Sequence, residues 1–174
     1  RAAEAARATE RAETARDLRS LLTELQAQST RRTPAPQKKY AGLTNPATLP
    51  ALGKIVRRFG ETSEVGTKLK GLEIETRQEA QIVAPAGGRV VFAGPFRGYG
   101  LLLIIAETSG YHVLLSGFAK LDCEVGQTMV VSEPVGRMGG DGSKRPTLYM
   151  EVRRDGEPID PLPWITSGER KVSG

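Results

Sequence analysis

Apolar residues follow two different periods along this chain, and the change between them divides it into parts. Residues 1–29 contain no glycine or proline, and their apolar side chains recur every three or four positions. These positions are Ala5, Ala8, Ala12, Ala15, Leu18, Leu22 and Leu25. The spacing predicts an α-helix with one apolar stripe. Its alanine-rich start and its charges on all sides favour the end of a longer coiled coil over a single helix packed on a domain.

Proline and then glycine mark the rest of the chain. Residues 30–50 contain four prolines, which neither a helix interior nor a central strand tolerates, so this part is predicted to be a linker. From Ala51 onward, short apolar runs alternate with glycine turns, a pattern typical of an all-β domain. We expect this domain to span residues 51–166 and a C-terminal tail to occupy residues 167–174.

Eight strands are predicted within the all-β domain. They are Lys54–Phe59, Gly71–Glu75, Gln81–Ala84, Arg89–Phe92, Leu101–Ala106, His112–Leu115, Thr128–Val131 and Leu148–Arg153. Leu101–Ala106 is apolar at every position, which indicates a central strand buried on both faces. Polar and apolar residues alternate in Leu72–Glu75, so Glu73 and Glu75 should point to the same face.

Charge and single residues exclude several classes of function. The net charge is +5, but residues 1–39 hold nine Lys/Arg and five Asp/Glu, which leaves sixteen and fifteen in the remainder. Because the β domain is nearly neutral, we expect no nucleic-acid partner. Cys123 is the only cysteine and is expected to be a small packing residue or a turn residue without a role, rather than a nucleophile. His112 is the only histidine, and we expect a surface or hydrogen-bonded residue rather than a metal ligand.

Glycine-bounded segments recur in a definite order between Gly53 and Trp164. They include Gly53–Gly60, Gly71–Ile74, Ile82–Val90, Gly98–Gly100 and Val125–Gly126. In this order and spacing the chain resembles the LytM-type, or M23, peptidoglycan endopeptidase domain. A lipoyl or biotinyl carrier domain shares the sequence pattern near Ala84-Pro85, but a carrier needs a modifiable lysine in a tight hairpin. No lysine after Lys54 lies in such a predicted turn.

In active enzymes of that family, an H-x-x-x-D motif and the second histidine of H-x-H hold zinc, and further histidines assist the attacking water. The resemblance places these positions at Leu69, Glu73, Gly117, Thr147 and Tyr149. Zinc sites are built from imidazole, thiolate and carboxylate donors, and only Glu73 offers one of them. The resemblance therefore implies a protein that is not an enzyme and has no metal and no cofactor.

The segment Arg145–Gly156, followed by Pro158–Pro161, resembles the degenerate LytM domain of murein hydrolase activators of the EnvC type. In those proteins a coiled coil precedes a metal-free domain. The resemblance implies a periplasmic, non-catalytic activator of peptidoglycan amidases in cell division and cell separation. The implied partner is an N-acetylmuramoyl-L-alanine amidase whose own regulatory helix blocks its active site. Peptidoglycan, and an inner-membrane division complex reached through the coiled coil, are further candidate partners.

We expect the groove that holds zinc in the enzymes to be the docking surface for the amidase. Its predicted floor and rim are Leu69, Glu73, Gly117, Thr147 and Tyr149, with Tyr99, Phe118 and Arg145. Four of them have a stated alternative: Leu69 and Phe118 as core residues, Tyr149 in an internal hydrogen bond, and Arg145 paired with Asp141.

Substitution of the central tyrosine, Tyr149→Ala, is expected to abolish activation and to leave the fold intact. Two other functions stay open for this groove. One is a structural module that binds glycan or stem peptide without activating anything. The other is a zinc endopeptidase with a rebuilt site.

Overall fold

The structure is a computed structural model. It describes residues 13–25, 27, 48–63, 65–107, 110–140 and 144–165. The chain divides into two compact units, Arg1–Lys38 and Lys39–Gly174. None of the helices in these described residues is long and apolar enough to cross a membrane.

The first unit contains a helix at residues 13–25 and 27. Leu18 and Leu22 are buried, and their spacing of four residues places them on one face, as the apolar period predicts. The coiled coil itself stays a prediction. Most of the predicted linker and the whole predicted tail lie outside the described residues.

The described part of the second unit contains eleven strands and a short helix at residues 162–165, and every pairing between strands is antiparallel. The strands are β1 (Gly53–Arg57), β2 (Leu72–Thr76), β3 (Gln81–Val83), β4 (Gly88–Phe96), β5 (Gly100–Ala106), β6 (Tyr111–Ser116), β7 (Phe118–Leu121), β8 (Thr128–Met129), β9 (Pro134–Met138), β10 (Thr147–Arg154) and β11 (Glu157–Ile159). The predicted all-β class of this unit is confirmed.

Two sheets enclose the hydrophobic core. The larger has the order β1-β2-β10-β6-β5-β4-β8, with β11 added to β10, and the smaller has the order β3-β9-β7. One cluster of buried apolar side chains draws on both sheets, so the core lies between them. Strand β5 lies between β6 and β4, and Leu102, Leu103, Ile104 and Ile105 are fully buried in succession. The prediction of a central strand buried on both faces is confirmed.

Three strands, β7, β9 and β11, are missing from the sequence prediction. Strand β9 was not predicted because it contains Pro134 and Gly136, and both residue types usually indicate turns. Gly136 is needed there, since a Cβ atom would lie 2.4 Å from the carbonyl oxygen of Lys120 on β7. The three residues of β11 form a strand through their pairing with β10. The predicted strand Thr128–Val131 is longer than the observed strand β8, which ends at Met129.

The single histidine and the single cysteine both lie inside the protein. His112 is 7% exposed, which excludes a surface position, one of the two environments expected for it. Burial lowers the pKa of His112 below its ordinary value, because the charged imidazolium would lose its hydration. Cys123 is buried, with Sγ 3.7 Å from the carbonyl oxygen of Val135, and is a packing residue as expected.

The lowered pKa of His112 predicts a loss of stability in acid. The folded state holds this side chain neutral, whereas the unfolded chain takes up a proton below about pH 6.5. The stabilising effect is therefore present above that pH and is lost as the pH falls toward the pKa of the folded state. We expect His112→Gln to show a smaller decrease in unfolding free energy between roughly pH 7 and pH 5. Urea unfolding at several pH values measures this, and equal pH dependence of the two proteins would contradict it.

Candidate functional site

Strand β10 positions the centre of the candidate site because it is paired on both sides. Tyr149 lies between Glu73 of β2 and Ser116 of β6. Thr147 lies opposite Glu75. Directly paired residues of antiparallel strands share a face of the sheet, so this register brings together three of the predicted site residues, Glu73, Thr147 and Tyr149.

The two faces of β10 have opposite chemistry. Its core face consists of Leu148, Met150 and Val152, which all belong to the hydrophobic cluster. Because successive side chains of a strand point to opposite faces, the other face carries Thr147, Tyr149, Glu151 and Arg153. We call these four residues the polar face of β10.

Three residues of the polar face form one hydrogen-bonded chain. The Tyr149 hydroxyl donates to Glu151 Oε1 at 2.8 Å. Arg153 Nε donates to Glu151 Oε2 in a close ion pair, and Arg153 Nη1 donates to the carbonyl oxygen of Gly156 at 3.0 Å. Glu151 is 0% exposed and Arg153 is 3% exposed. Each oxygen of a fully buried carboxylate thus has its own donor, and the internal hydrogen bond considered for Tyr149 is confirmed.

The two tyrosines near Glu151 are held in their neutral form. Burial is the largest cause that raises the pKa of Tyr149 above its ordinary value, followed by the charge of Glu151 and the hydrogen bond to it. Burial, and then the Glu151 charge, raises the pKa of Tyr99 to about 12. The rings of Tyr99 and Tyr149 lie 6.3 Å apart. At neutral pH Tyr149 is therefore a hydrogen-bond donor and not a phenolate ligand.

The carboxylates of β2 are paired with cations at the surface. Arg57 Nη1 lies 3.7 Å from Glu73 Oε2, and Arg145 Nη1 lies 3.8 Å from Glu75 Oε1. Pairs as exposed as these contribute little to stability. The alternative of an Arg145 pair with Asp141 concerns a residue outside those described, whereas the structure shows Glu75 as a partner of Arg145.

The remaining predicted site residues have different environments. Gly117 has a φ of 108°, and a Cβ atom there would lie 2.6 Å from the carbonyl oxygen of Thr147, so the close approach requires glycine. Leu69 lies in the segment that connects β1 to β2 and is half-buried. Its N–H donates to the carbonyl oxygen of Glu61 at 2.9 Å. Phe118 is 7% exposed and belongs to the hydrophobic cluster, which corrects its predicted position on the rim.

A row of aromatic rings leads from β4 to the polar face. It consists of Phe92, Phe96, Tyr99 and Tyr149, with successive centroid distances of 5.7, 6.1 and 6.3 Å. All four side chains are half-buried. We call this set the aromatic row. The sequence prediction of the site included the two tyrosines but not the two phenylalanines. The spacing of four residues between Phe92 and Phe96 gave no sign that they belong to the site.

Sequence reasoning also missed Glu151 and Arg153. A signal existed, because Tyr149, Glu151 and Arg153 alternate along one predicted strand. Alternating polar residues ordinarily indicate a solvated face, however, and this face is buried at Glu151 and Arg153.

The donor atoms of this site do not fit zinc. Within the described ranges, no group of three or more His, Cys, Asp or Glu residues is placed to hold a metal ion. Zinc takes three or four protein donors of the imidazole, thiolate or carboxylate type. Leu69 offers no donor, Tyr149 offers a neutral phenol, and the carboxylate of Glu73 lies beside Arg57.

The hydrogen-bonded chain changes the expectation for Tyr149→Ala. Removing the hydroxyl leaves one oxygen of buried Glu151 without its donor. An unsatisfied buried acceptor costs about 1–3 kcal/mol, and a charged one costs more. The expectation that this variant keeps an intact fold is therefore revised, and Tyr149 is a poor choice for testing docking alone.

Comparison with known proteins identifies one matching family and several bacterial relatives. The model of peptidase family M23 matches residues 67–161. A lipoprotein NlpD/LppB homolog of Pseudomonas aeruginosa is 35% identical over 117 residues, which are 67% of this chain and 38% of that protein. Murein hydrolase activator EnvC of Escherichia coli is 31% identical over 117 residues, 67% of this chain and 28% of that protein. The chain thus spans only 28% to 38% of the length of these relatives.

Solved structures share the fold at lower sequence identity. The antimicrobial peptidase lysostaphin from Staphylococcus simulans matches with a TM-score of 0.63 and 19% identity, over 75% of this chain and 58% of that one. Csd3 of Helicobacter pylori matches with a TM-score of 0.61 and 18% identity, over 74% of this chain and 41% of that one. With a family match that covers more than half of its residues, the chain belongs to peptidase family M23.

Proposed function

We propose that this chain is a non-catalytic member of its family that activates a peptidoglycan amidase during cell division and cell separation. The observation that carries the proposal is the loss of zinc donors at Leu69 and Tyr149 on a retained M23 fold. Relatives named murein hydrolase activators support the general role. The amidase, the division process and the docking surface are the finer parts of the proposal.

The proposal also assigns the parts of the chain. Residues 1–29 are the end of a coiled coil, residues 30–50 are a linker, residues 51–166 are the degenerate domain, and residues 167–174 are a tail. The protein acts in the periplasm, and relatives named as lipoproteins are consistent with an envelope location.

Docking uses the polar face of β10 together with the aromatic row. Half-buried aromatic rings supply contact area at a small cost in side-chain entropy, and exposed Thr147 and Arg145 surround them with polar contacts. A surface of this kind accepts an amphipathic helix by its apolar side. Binding the regulatory helix of the amidase favours the open enzyme, by no more than the difference in affinity for its two states.

Release of soluble fragments from dye-labelled sacculi tests this function directly. The protein alone, a purified N-acetylmuramoyl-L-alanine amidase alone and the mixture are compared with zinc present throughout. The proposal requires release by the mixture well above that of the amidase alone. Release by the protein alone indicates a zinc endopeptidase. Sedimentation with sacculi and no effect on the amidase indicates a structural peptidoglycan-binding module.

The docking surface predicts the effect of Thr147→Arg. Thr147 is exposed at the start of β10, so a long charged side chain there obstructs a docked helix without entering the core. We expect the concentration for half-maximal activation to rise at least about tenfold, which corresponds to roughly 1.4 kcal/mol of binding free energy. The matched control is Thr128→Arg, an exposed threonine on β8 of the same sheet. Equal activation by the two variants would show that the amidase binds elsewhere.

The donor set predicts the zinc content. After dialysis, elemental analysis of the unmodified protein is expected to find far less than one zinc per chain. The triple variant Leu69→His, Glu73→Asp and Tyr149→His restores the family's ligand types and is expected to hold about one zinc per chain. Leu69→His alone is the matched control, with too few ligands for stoichiometric binding. One zinc per chain in the unmodified protein would contradict the prediction.

A further inference from the structure

Glu151 is an unusual carboxylate for a docking surface because it has no exposed area of its own. The side chains of Glu73 and Glu75 on the neighbouring strand are 26% and 39% exposed, whereas Glu151 is 0% exposed. A partner cannot touch Glu151 without displacing other side chains. Removing a carboxylate from water is costly, and a well-packed apolar residue often replaces a buried ion pair without loss of stability. Any role of Glu151 in docking must therefore act through the groups it binds.

Hydrogen bonds connect these groups in the order Arg153, Glu151 and the half-buried Tyr149. Arg153 is anchored at the end of β10 by its bond to the carbonyl oxygen of Gly156. Its guanidinium holds one oxygen of Glu151, and the other oxygen accepts the hydroxyl hydrogen of Tyr149. The backbone register already fixes the Cα of Tyr149, so the added hydrogen bond restrains the remaining freedom of its side chain.

We propose that Glu151 is a positioning residue, which fixes the ring of Tyr149 beside Tyr99 and thereby preorganises the surface that the amidase contacts. The proposal rests on the proposed docking function and names the residue that shapes that site. A side chain ordered before binding loses less entropy on binding, so the fixed ring increases affinity without contributing a contact of its own.

The arrangement matches a known use of carboxylates beside metal sites. A histidine that binds zinc commonly donates its second ring N–H to a carboxylate, which sets the orientation of the imidazole. Here the side chain oriented by Glu151 is a phenol, which binds no zinc. In this proposal the Glu151 carboxylate orients Tyr149 for contact with a protein.

The test removes the hydrogen bond while preserving the packing. Glu151→Leu combined with Arg153→Met replaces the buried pair by apolar side chains of similar size, so we expect a retained fold, with a Tm lowered only by the two partners left unpaired, the Tyr149 hydroxyl and the carbonyl oxygen of Gly156. The concentration for half-maximal amidase activation is expected to rise about tenfold. Lys120→Met with Asp122→Leu removes another pair of opposite charges, on and next to β7, and is the matched control with normal activation. Normal activation by the Glu151/Arg153 double variant, with a retained fold, would overturn the proposal.

A second readout follows Tyr149 itself and needs no amidase. In protein labelled with 13C-tyrosine, the ring signal of Tyr149, assigned with Tyr149→Phe, is expected to move toward that of free tyrosine in the double variant at pH 7. An unmoved signal would also overturn the proposal. If the unmodified protein activates no amidase but the signal moves, the docking function fails while the positioning of Tyr149 stands.

A single substitution covers the case in which the double variant does not fold. Glu151→Gln keeps the size of the side chain and removes its charge, so the charge-assisted hydrogen bonds to Tyr149 and Arg153 become weaker neutral ones. We expect a movement of the Tyr149 signal and a rise in the half-maximal concentration. An unchanged signal together with normal activation would overturn the proposal in this case too.

Discussion

The alternation of side chains along β10, a strand bonded on both sides, is the constraint on which the candidate site depends. Leu148, Met150 and Val152 must lie in the core, and pairing with β2 and β6 holds them there. A shift by one residue would place Glu151 in the hydrophobic core, at a large cost in free energy. Core packing therefore determines that Tyr149 lies between Glu73 and Ser116. Packing of the apolar face of β10 therefore fixes the positions of the residues on its polar face.

The polar face of β10 contains buried charges whose polar atoms are hydrogen-bonded within the protein. Glu151 and Arg153 are both buried, and such a pair contributes little net stability unless hydrogen bonds satisfy its remaining polar atoms. Tyr149 and the carbonyl oxygen of Gly156 supply those bonds. The tyrosine thus has two roles that a single substitution cannot separate, since it completes a buried network and presents a half-buried ring. This coupling links the stability of the domain to the shape of its candidate docking surface.

Sequence patterns predicted much of the fold, whereas the site residues stay a prediction. Eight of the eleven strands were found, together with the central position of β5 and the common face of Glu73 and Glu75. The resemblance to the M23 family implied the ligand positions, and the register brings Glu73, Thr147 and Tyr149 together. The missed strands are short or contain proline and glycine, so their strand character comes from their partners. Phe118 and His112 proved buried, and no local sequence pattern records burial that depends on tertiary packing.

By itself, the sequence determined the all-β class of the second unit, the order of most strands and the loss of zinc-type donors at Leu69 and Tyr149, because these depend on residue type and local spacing. Only the tertiary structure decided which polar residues are buried and how they are paired. Tyr149, Glu151 and Arg153 look the same in sequence as any solvated strand face. Their hydrogen bonds form because pairing and packing exclude water from this part of the sheet, and an unsatisfied charge there would be too costly to keep.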